Sequence, residues 1–572
     1  MPAIFVVVVV LVAFFFAYTF YSKYLAEKVY GLDKSRPTPA HEFEDGVDYV
    51  PTNKHVLFGH HFTSVAGAAP IVGPAIAVFW GWLPALLWVT FGTIFAAGVH
   101  DFGSLVVSVR NKGQNIGTLS SSVINQRART LFLVIIFFLL TLVNAVFAVV
   151  MAILFEANPG AVIPAVAIIP IAIVIGQFAY RGRGPILIPA IIAVALLYAL
   201  IPVGQFLPLQ VDGLAGLFGM EPRTMWVILI FAYTWFASRL PVWLLLQPRD
   251  YINSFQLFIA LGVIFLGIAV GFDRIVAPAI NSNVPADSPS IFPFLFITIA
   301  CGAISGFHSL VASGTSSKQL DNEEDARYVG YMGVLGEGSL ALGSILACTA
   351  GIGAFAAWQE KYPDFETASG GAVGNFTQGV GYFASNLGIP QATGVIFAAV
   401  VVITFAGTTM DTGIRLQRYI IQEIGEIAGI RPLTRNITLT TTIGVLIPLG
   451  LALYPGGGRG GESGFAFGYL WQLFGTTNQL TAGLALTVIA VWVFTRNRNP
   501  LAQIVPLVFL LAMTTYALFI QLGQFYAAGD WLLLVVDAII FVLAVWLIIE
   551  AVIAFNRARG QRDRQDRETT PR

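Results

Sequence analysis

The group in this chain with the clearest chemical implication is a guanidinium inside an apolar run. Arg239 lies in MWVILIFAYTWFASRLPVWLLL. A charge at the centre of a bilayer costs roughly 2.5–3.5 kcal/mol on the insertion scale, so it needs a cavity or a partner. A guanidinium fork matches a carboxylate bidentately, and Arg239 is therefore expected to bind a substrate carboxylate. An ion pair with Asp101, Glu337 or Asp411 is the alternative. His61, His100, Asp101, His308, Glu337 and Asp411 also interrupt apolar stretches. Such groups mark solute pathways and proton relays, so His61, Asp411 and Glu337 are candidate carriers of a coupling proton. Asp411 also stands four residues before Arg415, a spacing that permits an intrahelical pair. Ser313, Thr315 and Ser316 gather hydroxyls that suit a monovalent cation, or equally helix–helix hydrogen bonds. Lys318 follows them. Its ammonium would fill such a site and leave a proton as the coupling ion, or else snorkel to the interface.

These side chains need helices that are interrupted in the membrane, because freed backbone groups can then coordinate a solute. In HHFTSVAGAAPIVGPAIAVFWG, the small residues Gly67, Ala68 and Ala69 precede Pro70, which cannot continue a hydrogen-bonded helix. Ser238, Arg239 and Pro241 form a second expected interruption, five spans later. Interrupted helices at matching positions of two inverted halves indicate a binding site. The substrate-binding set is thus Gly67, Ala68, Ala69, Pro70, Ser238, Arg239 and Pro241.

The surrounding composition is that of a membrane protein. Only 11% of the 572 residues are charged, against about a quarter in soluble domains. About twenty apolar residues make a span, and fifteen candidates occur: 3–21, 62–80, 82–109, 130–154, 161–179, 185–203, 225–246, 254–272, 291–317, 328–356, 391–414, 437–454, 464–494, 501–527 and 530–555. The Gly-rich stretch 370–388 is a further short or re-entrant candidate. With the N-terminus outside, 26 of the 31 basic residues fall in inside segments, as the positive-inside rule requires. That places the C-terminus in the cytoplasm. The expected divisions are 1–61 (first helix and His-containing loop), 62–436 (transport core), 437–556 (four C-terminal helices) and 557–572 (basic disordered tail).

Zero net charge gives no reason to expect a nucleic-acid partner. The chain has no phosphate-binding loop, HExxH or GxSxG signature, so neither an enzyme nor an ATP-driven pump is expected. The Gly456–Gly461 run lies far from any strand. His41, His55, His60 and His61 could be combined as metal ligands. Adjacent histidines diverge on a helix, however, so no metal and no cofactor is expected. Nothing in the pattern specifies an oligomer.

FGHHFTSVAGAAPIVGPAIA, GVHDFGSLVVSVRNKG, LPVWLLLQPRDYIN, ISGFHSLVASGTSSKQL and AGTTMDTGIRLQRY resemble the carbon starvation protein A family. The resemblance extends from the N-terminus to about residue 495. It implies uptake of peptides or pyruvate during carbon limitation, with protons, across the bacterial inner membrane. It also implies kinship with the amino acid–polyamine–organocation superfamily, whose core is ten helices in two inverted fives, the first and sixth broken. The expected fold is an all-α polytopic protein of about 15 transmembrane helices around a 5+5 inverted-repeat core. Mapped here, the core is spans two to eleven, and its eighth helix, often a sodium-site contributor, is the ninth span with Ser313, Thr315 and Ser316. A sodium-coupled symporter and a passive channel for the same solutes are the alternatives.

Overall fold

The structure, a computed structural model, describes residues 1–46, 48–182, 187–241, 243–454 and 467–569. Among the described residues extended backbone pairs only in two isolated bridges, Pro2 with Arg274 and Thr52 with Leu320. Eleven helices are long and apolar enough to cross a membrane, or twelve if one bent pair is a single span. In lipid the backbone has to satisfy its own hydrogen bonds, and helices do so within one segment. The protein is an all-helical, multi-pass membrane protein.

The chain begins with α1 (Ala3–Tyr30) and then the bent pair α2 (Lys54–Val65) and α3 (Ala69–Trp80), which meet at 48°. Next come α4 (Trp82–Val109), the short α5 (Ile116–Val123) and α6 (Gln126–Ala157). A hairpin of α7 (Val162–Gly182) and α8 (Leu187–Phe206) precedes α9 (Pro222–Ala237) and α10 (Leu246–Gly271). A second broken element consists of α11 (Ile291–Thr298) and α12 (Gly306–Gly314). Then follow α13 (Arg327–Ala347), α14 (Phe365–Asn386), α15 (Gln391–Ile427), α16 (Ile437–Ala452), α17 (Phe467–Phe494), α18 (Leu501–Ala528) and α19 (Trp531–Thr569).

Local sequence explains several boundaries. The Asn53 side chain accepts from His55 N and caps α2; Asn125 caps α6 and Asp364 caps α14 in the same way. Pro70 occupies the first turn of α3, where its missing N–H has no partner to lose. It therefore starts the second half of the broken helix. Helices that are apolar on every side form the centre. In α17, 94% of the most apolar window is buried, against 33% in α1 and α19, which line the periphery.

The packing partners recur in pairs. α2 packs on α10 and α11 on α17; α3 packs on α13 and α12 on α4. Likewise α6 holds α9 and α17, while α15 holds α16 and α10. α5 lies against α6 as α14 lies against α15. The α7–α8 hairpin has a separate small apolar cluster.

Four expectations change. The expected span 225–246 stops at Ala237, because Pro241 cannot continue the helix, and α10 starts at Leu246. Ser238–Pro241 is thus part of a connection between two helices, not an interruption within one. The expected continuous span 291–317 is broken over residues 299–305. The Gly-rich stretch around 370–388 belongs to a complete 22-residue helix. Helix also continues through the tail expected to be disordered, as far as Thr569. The Gly456–Gly461 run lies outside the described residues.

Candidate functional site

The two broken elements cross at close range. A Cβ on Gly73 would collide with the Thr298 carbonyl oxygen, so α3 and the end of α11 touch through backbone. The second break then has its polar groups satisfied from neighbouring helices. Trp471 Nε1 donates to Thr298 O at 3.1 Å and Trp88 Nε1 to Ile299 O at 3.1 Å. Thr93 Oγ1 donates to Gly302 O, and Phe307 N donates to Asn478 Oδ1 at 3.1 Å. Unwound backbone is tolerated at membrane depth when protein surrounds it in this way. At the first break, Ala66 leaves helical geometry at φ −81°, ψ 61°. Gly67 faces α6 and α15: a Cβ there would sit 2.9 Å from Thr409 Oγ1 and 3.2 Å from Phe147 Cε2. Gly67, Ala68, Ala69 and Pro70 are thus gathered where broken helices and long straight helices meet, and all four are buried.

Below this crossing, four helices contribute a buried ionisable cluster. His308 of α12 contacts Asp101 of α4 through Nδ1 at 2.7 Å and Glu337 of α13 through Nε2 at 3.4 Å. His100 Nδ1 lies 2.6 Å from the other Asp101 oxygen. His61 of α2 contacts Ser316 Oγ at 2.8 Å and leaves its Nε2 without a hydrogen-bond partner. One imidazole between two carboxylates on separate helices can pass a proton from one carboxylate to the other. Such an arrangement is suited to linking protonation with helix position.

A second ion network holds the scaffold. Arg249 Nη1 lies 2.8 Å from Asp411 Oδ2 and 2.6 Å from Tyr233 Oη, which itself donates to Asp411 Oδ2 at 2.8 Å. Asp250 lies 3.6 Å from His60 Nδ1. Asn253 Nδ2 donates to Thr408 Oγ1 at 2.9 Å, next to the Thr409 that faces Gly67. A line of polar contacts therefore leads up α10 and α15 to the first break.

The other expected site residues lie elsewhere. Arg239 is exposed, with its guanidinium 4.5 Å from the centre of the Trp235 ring and Nη2 donating to Thr438 Oγ1. Its cation–π partner and its exposure meet the need that a carboxylate was expected to meet. The structure does not bring it to Gly67–Pro70. Ser238 and Leu240 carbonyls accept from Arg418 and Arg415, which pin the Ser238–Pro241 connection to α15. Asp411 accordingly pairs with Arg249, and Arg415 donates to a main-chain carbonyl. Ser313 Oγ accepts from Ile116 N, and Ser317 Oγ accepts from Ser108 Oγ while donating to Ser313 O. These hydroxyls tie α12 to α4 and α5, while Thr315 is exposed. Lys318 Nζ sits 5.3 Å over the Tyr49 ring, away from the hydroxyls.

Sequence reasoning missed Arg249, Asp250 and Tyr233. Arg249 and Asp250 lie between the expected spans 225–246 and 254–272, outside any apolar run. The available signal was the polar series Arg249, Asp250, Asn253 and Gln256, whose spacing marks one helix face.

A family model for carbon starvation protein CstA matches residues 2–517. The chain is 34% identical over 568 residues to a Campylobacter jejuni protein named peptide transporter CstA, covering 90% of this chain and 79% of that one. It is 31% identical over 599 residues to the Bacillus subtilis peptide transporter CstA, with 97% of each chain covered. It is also 31% identical over 619 residues to an Escherichia coli protein named pyruvate/proton symporter BtsT, covering 92% of this chain and 84% of that one.

Proposed function

The chain belongs to the carbon starvation protein CstA family, and from that premise we propose that it imports a small carboxylate nutrient, a peptide or pyruvate, in symport with a proton. Its relatives are named transporters, so its role is transport and not catalysis. Import would serve carbon-starved cells across the bacterial inner membrane.

The mechanism is alternating access in a 5+5 inverted repeat. The first half is α2–α3, α4, α6, α9 and α10; the second is α11–α12, α13, α15, α16 and α17. Five recurring packing pairs support this division: α2–α10 with α11–α17, α3–α13 with α12–α4, α6–α9 with α15–α16, α6–α17 with α15–α10, and α5–α6 with α14–α15. The broken partner of α2–α3 is then α11–α12, and α16 and α17 belong to the core. The twelve apolar spans, with α9, α11–α12 and α16, make fifteen crossings. An odd number agrees with an outside N-terminus and a cytoplasmic C-terminus. α14 need not cross: Phe365 packs on Trp80, and Asn386 donates to Asp273 just beyond the end of α10.

Backbone groups of Gly67–Pro70 line the solute path beside residues 299–305. The observation that carries proton coupling is His308 held between Asp101 and Glu337 on two different helices, inside the unit that contains both breaks. His61 borders this cluster, and Asp411 stands in the other network. Ser313 and Ser317 already serve interhelical bonds, which favours a proton over sodium. With a zwitterionic peptide the proton carries one net charge, and 100 mV then supplies about 2.3 kcal/mol, enough for a gradient of about fiftyfold; a monocarboxylate with one proton is electroneutral and is driven by the pH difference.

The test is Glu337→Gln in proteoliposomes. Exchange of labelled for unlabelled pyruvate or peptide should persist, while accumulation driven by a pH gradient should vanish. Wild-type-like accumulation by the variant removes Glu337 from coupling. If the parent protein never concentrates solute above the bath under a pH gradient, the passive channel replaces the symporter.

A further inference from the structure

The scaffold network contains an unused recognition surface. Arg249 is buried, with 2% of its side chain exposed. Both of its assigned polar contacts, to Asp411 and Tyr233, use Nη1. Nε and Nη2 are buried without a hydrogen-bond partner among the described residues. Those two nitrogens form one edge of the guanidinium, and their parallel N–H groups are the fork that takes a carboxylate bidentately. Leaving such donors buried and unpaired is costly, so a complete unpaired edge is a feature that needs a partner.

The same residue forms part of the wall of a cavity of about 190 Å³ between α6, α7, α9, α10 and α15. Its other walls include Met151, Trp226, Ile230, Tyr233 and Thr404, and it is a mostly apolar, half-open recess with a few polar groups, bordered at its mouth by the exposed Val166. At about 30 Å³ per water-sized unit, it holds a solute of about six heavy atoms. A peptide backbone would need it to widen.

We propose that the Nε/Nη2 edge of Arg249, closed off in this conformation, is uncovered during the transport cycle and recognises the carboxylate of a small monocarboxylate whose short apolar remainder occupies this adjoining cavity. The proposal rests on the importer reading above and deepens it by assigning the anion contact and a size limit. The charged groups around the fork are Asp411 and Arg415 of α15, Asp250 of α10 and His60 of α2. Two carboxylates face two guanidiniums there. An arriving anion adds one negative charge, which a co-transported proton cancels.

The experiment uses the full chain in proteoliposomes, with labelled pyruvate uptake challenged by acetate, 2-oxobutyrate, longer 2-oxo acids and the neutral amide of pyruvate. In the parent protein the short acids should compete and the amide should not. Arg249→Lys keeps the charge and loses the fork; its KM for pyruvate should rise about thirtyfold or more. Arg249→Met with Asp411→Asn removes the buried charges together, so no lone charge is left to unfold the protein; pyruvate should no longer raise its thermal transition. Ala165→Phe, on the α7 wall, leaves the ion pair intact and should exclude longer acids first. Unchanged KM in folded Arg249→Lys, or unchanged chain-length preference in Ala165→Phe, overturns the inference alone. A parent protein that carries none of these acids overturns the importer reading for monocarboxylates, and this inference with it.

Discussion

Adding one methyl group at Gly67 should slow transport. The new Cβ would stand 2.9 Å from Thr409 Oγ1 and 3.2 Å from Phe147 Cε2, both closer than ordinary van der Waals contact. Overpacking of this kind costs about 1–3 kcal/mol in well-packed interiors. If re-forming this contact against α6 and α15 limits the cycle, each 1.4 kcal/mol added to that barrier lowers the rate about tenfold. Gly67→Ala should therefore reduce solute exchange in proteoliposomes about fivefold to a hundredfold. Thr409→Ala removes the nearer obstacle. In Gly67→Ala/Thr409→Ala much of the lost rate should return, with a coupling energy of about 1 kcal/mol or more between the two positions. Protein amount and thermal stability, measured alongside, separate a slowed cycle from a damaged fold. Exchange at parental rate in Gly67→Ala, or a double variant no faster than the single one, would refute the claim that this contact is remade in every cycle.

Other substitutions probe other parts of the molecule. Arg239→Ala, which removes a guanidinium stacked on Trp235, should alter pyruvate KM far less than Arg249→Lys does; the reverse order would return the carboxylate to Arg239. Glu323→Ala strands Arg110, which now meets Glu323 through Nε at 2.6 Å and Nη2 at 3.0 Å and also supports the Tyr30 and Gly31 carbonyls. Losing one partner of a buried pair costs about 3–5 kcal/mol, so the thermal transition of the detergent-solubilised protein should fall by several degrees, and an unchanged transition would show the pair to be energetically idle.

The membrane character and most helix positions were legible because apolar length alone specifies a span. The first break was legible for a local reason, since Pro70 after three small residues cannot extend a helix. The second was not. Residues 299–305 contain no proline, and their unwinding depends on Gly73, Trp88, Trp471 and Asn478, which are distant in sequence. Pro241 misled for the opposite reason: a proline that ends a helix resembles one that interrupts it. Arg249 falls between the expected spans 225–246 and 254–272, so apolar length alone leaves it in a loop. Only the fold shows that Asp411, more than 150 residues later, shields it. Of the two arginines, the one framed by apolar sequence proved exposed and the one taken for a loop residue proved buried.

The crossing at Gly73 and Thr298 has a mechanical consequence. Where main chain lies against main chain, no rotamer can yield, so a displacement of either broken segment passes to the other almost undiminished. The two segments therefore share one pivot, and a displacement on either side is expected to become a single rigid stroke.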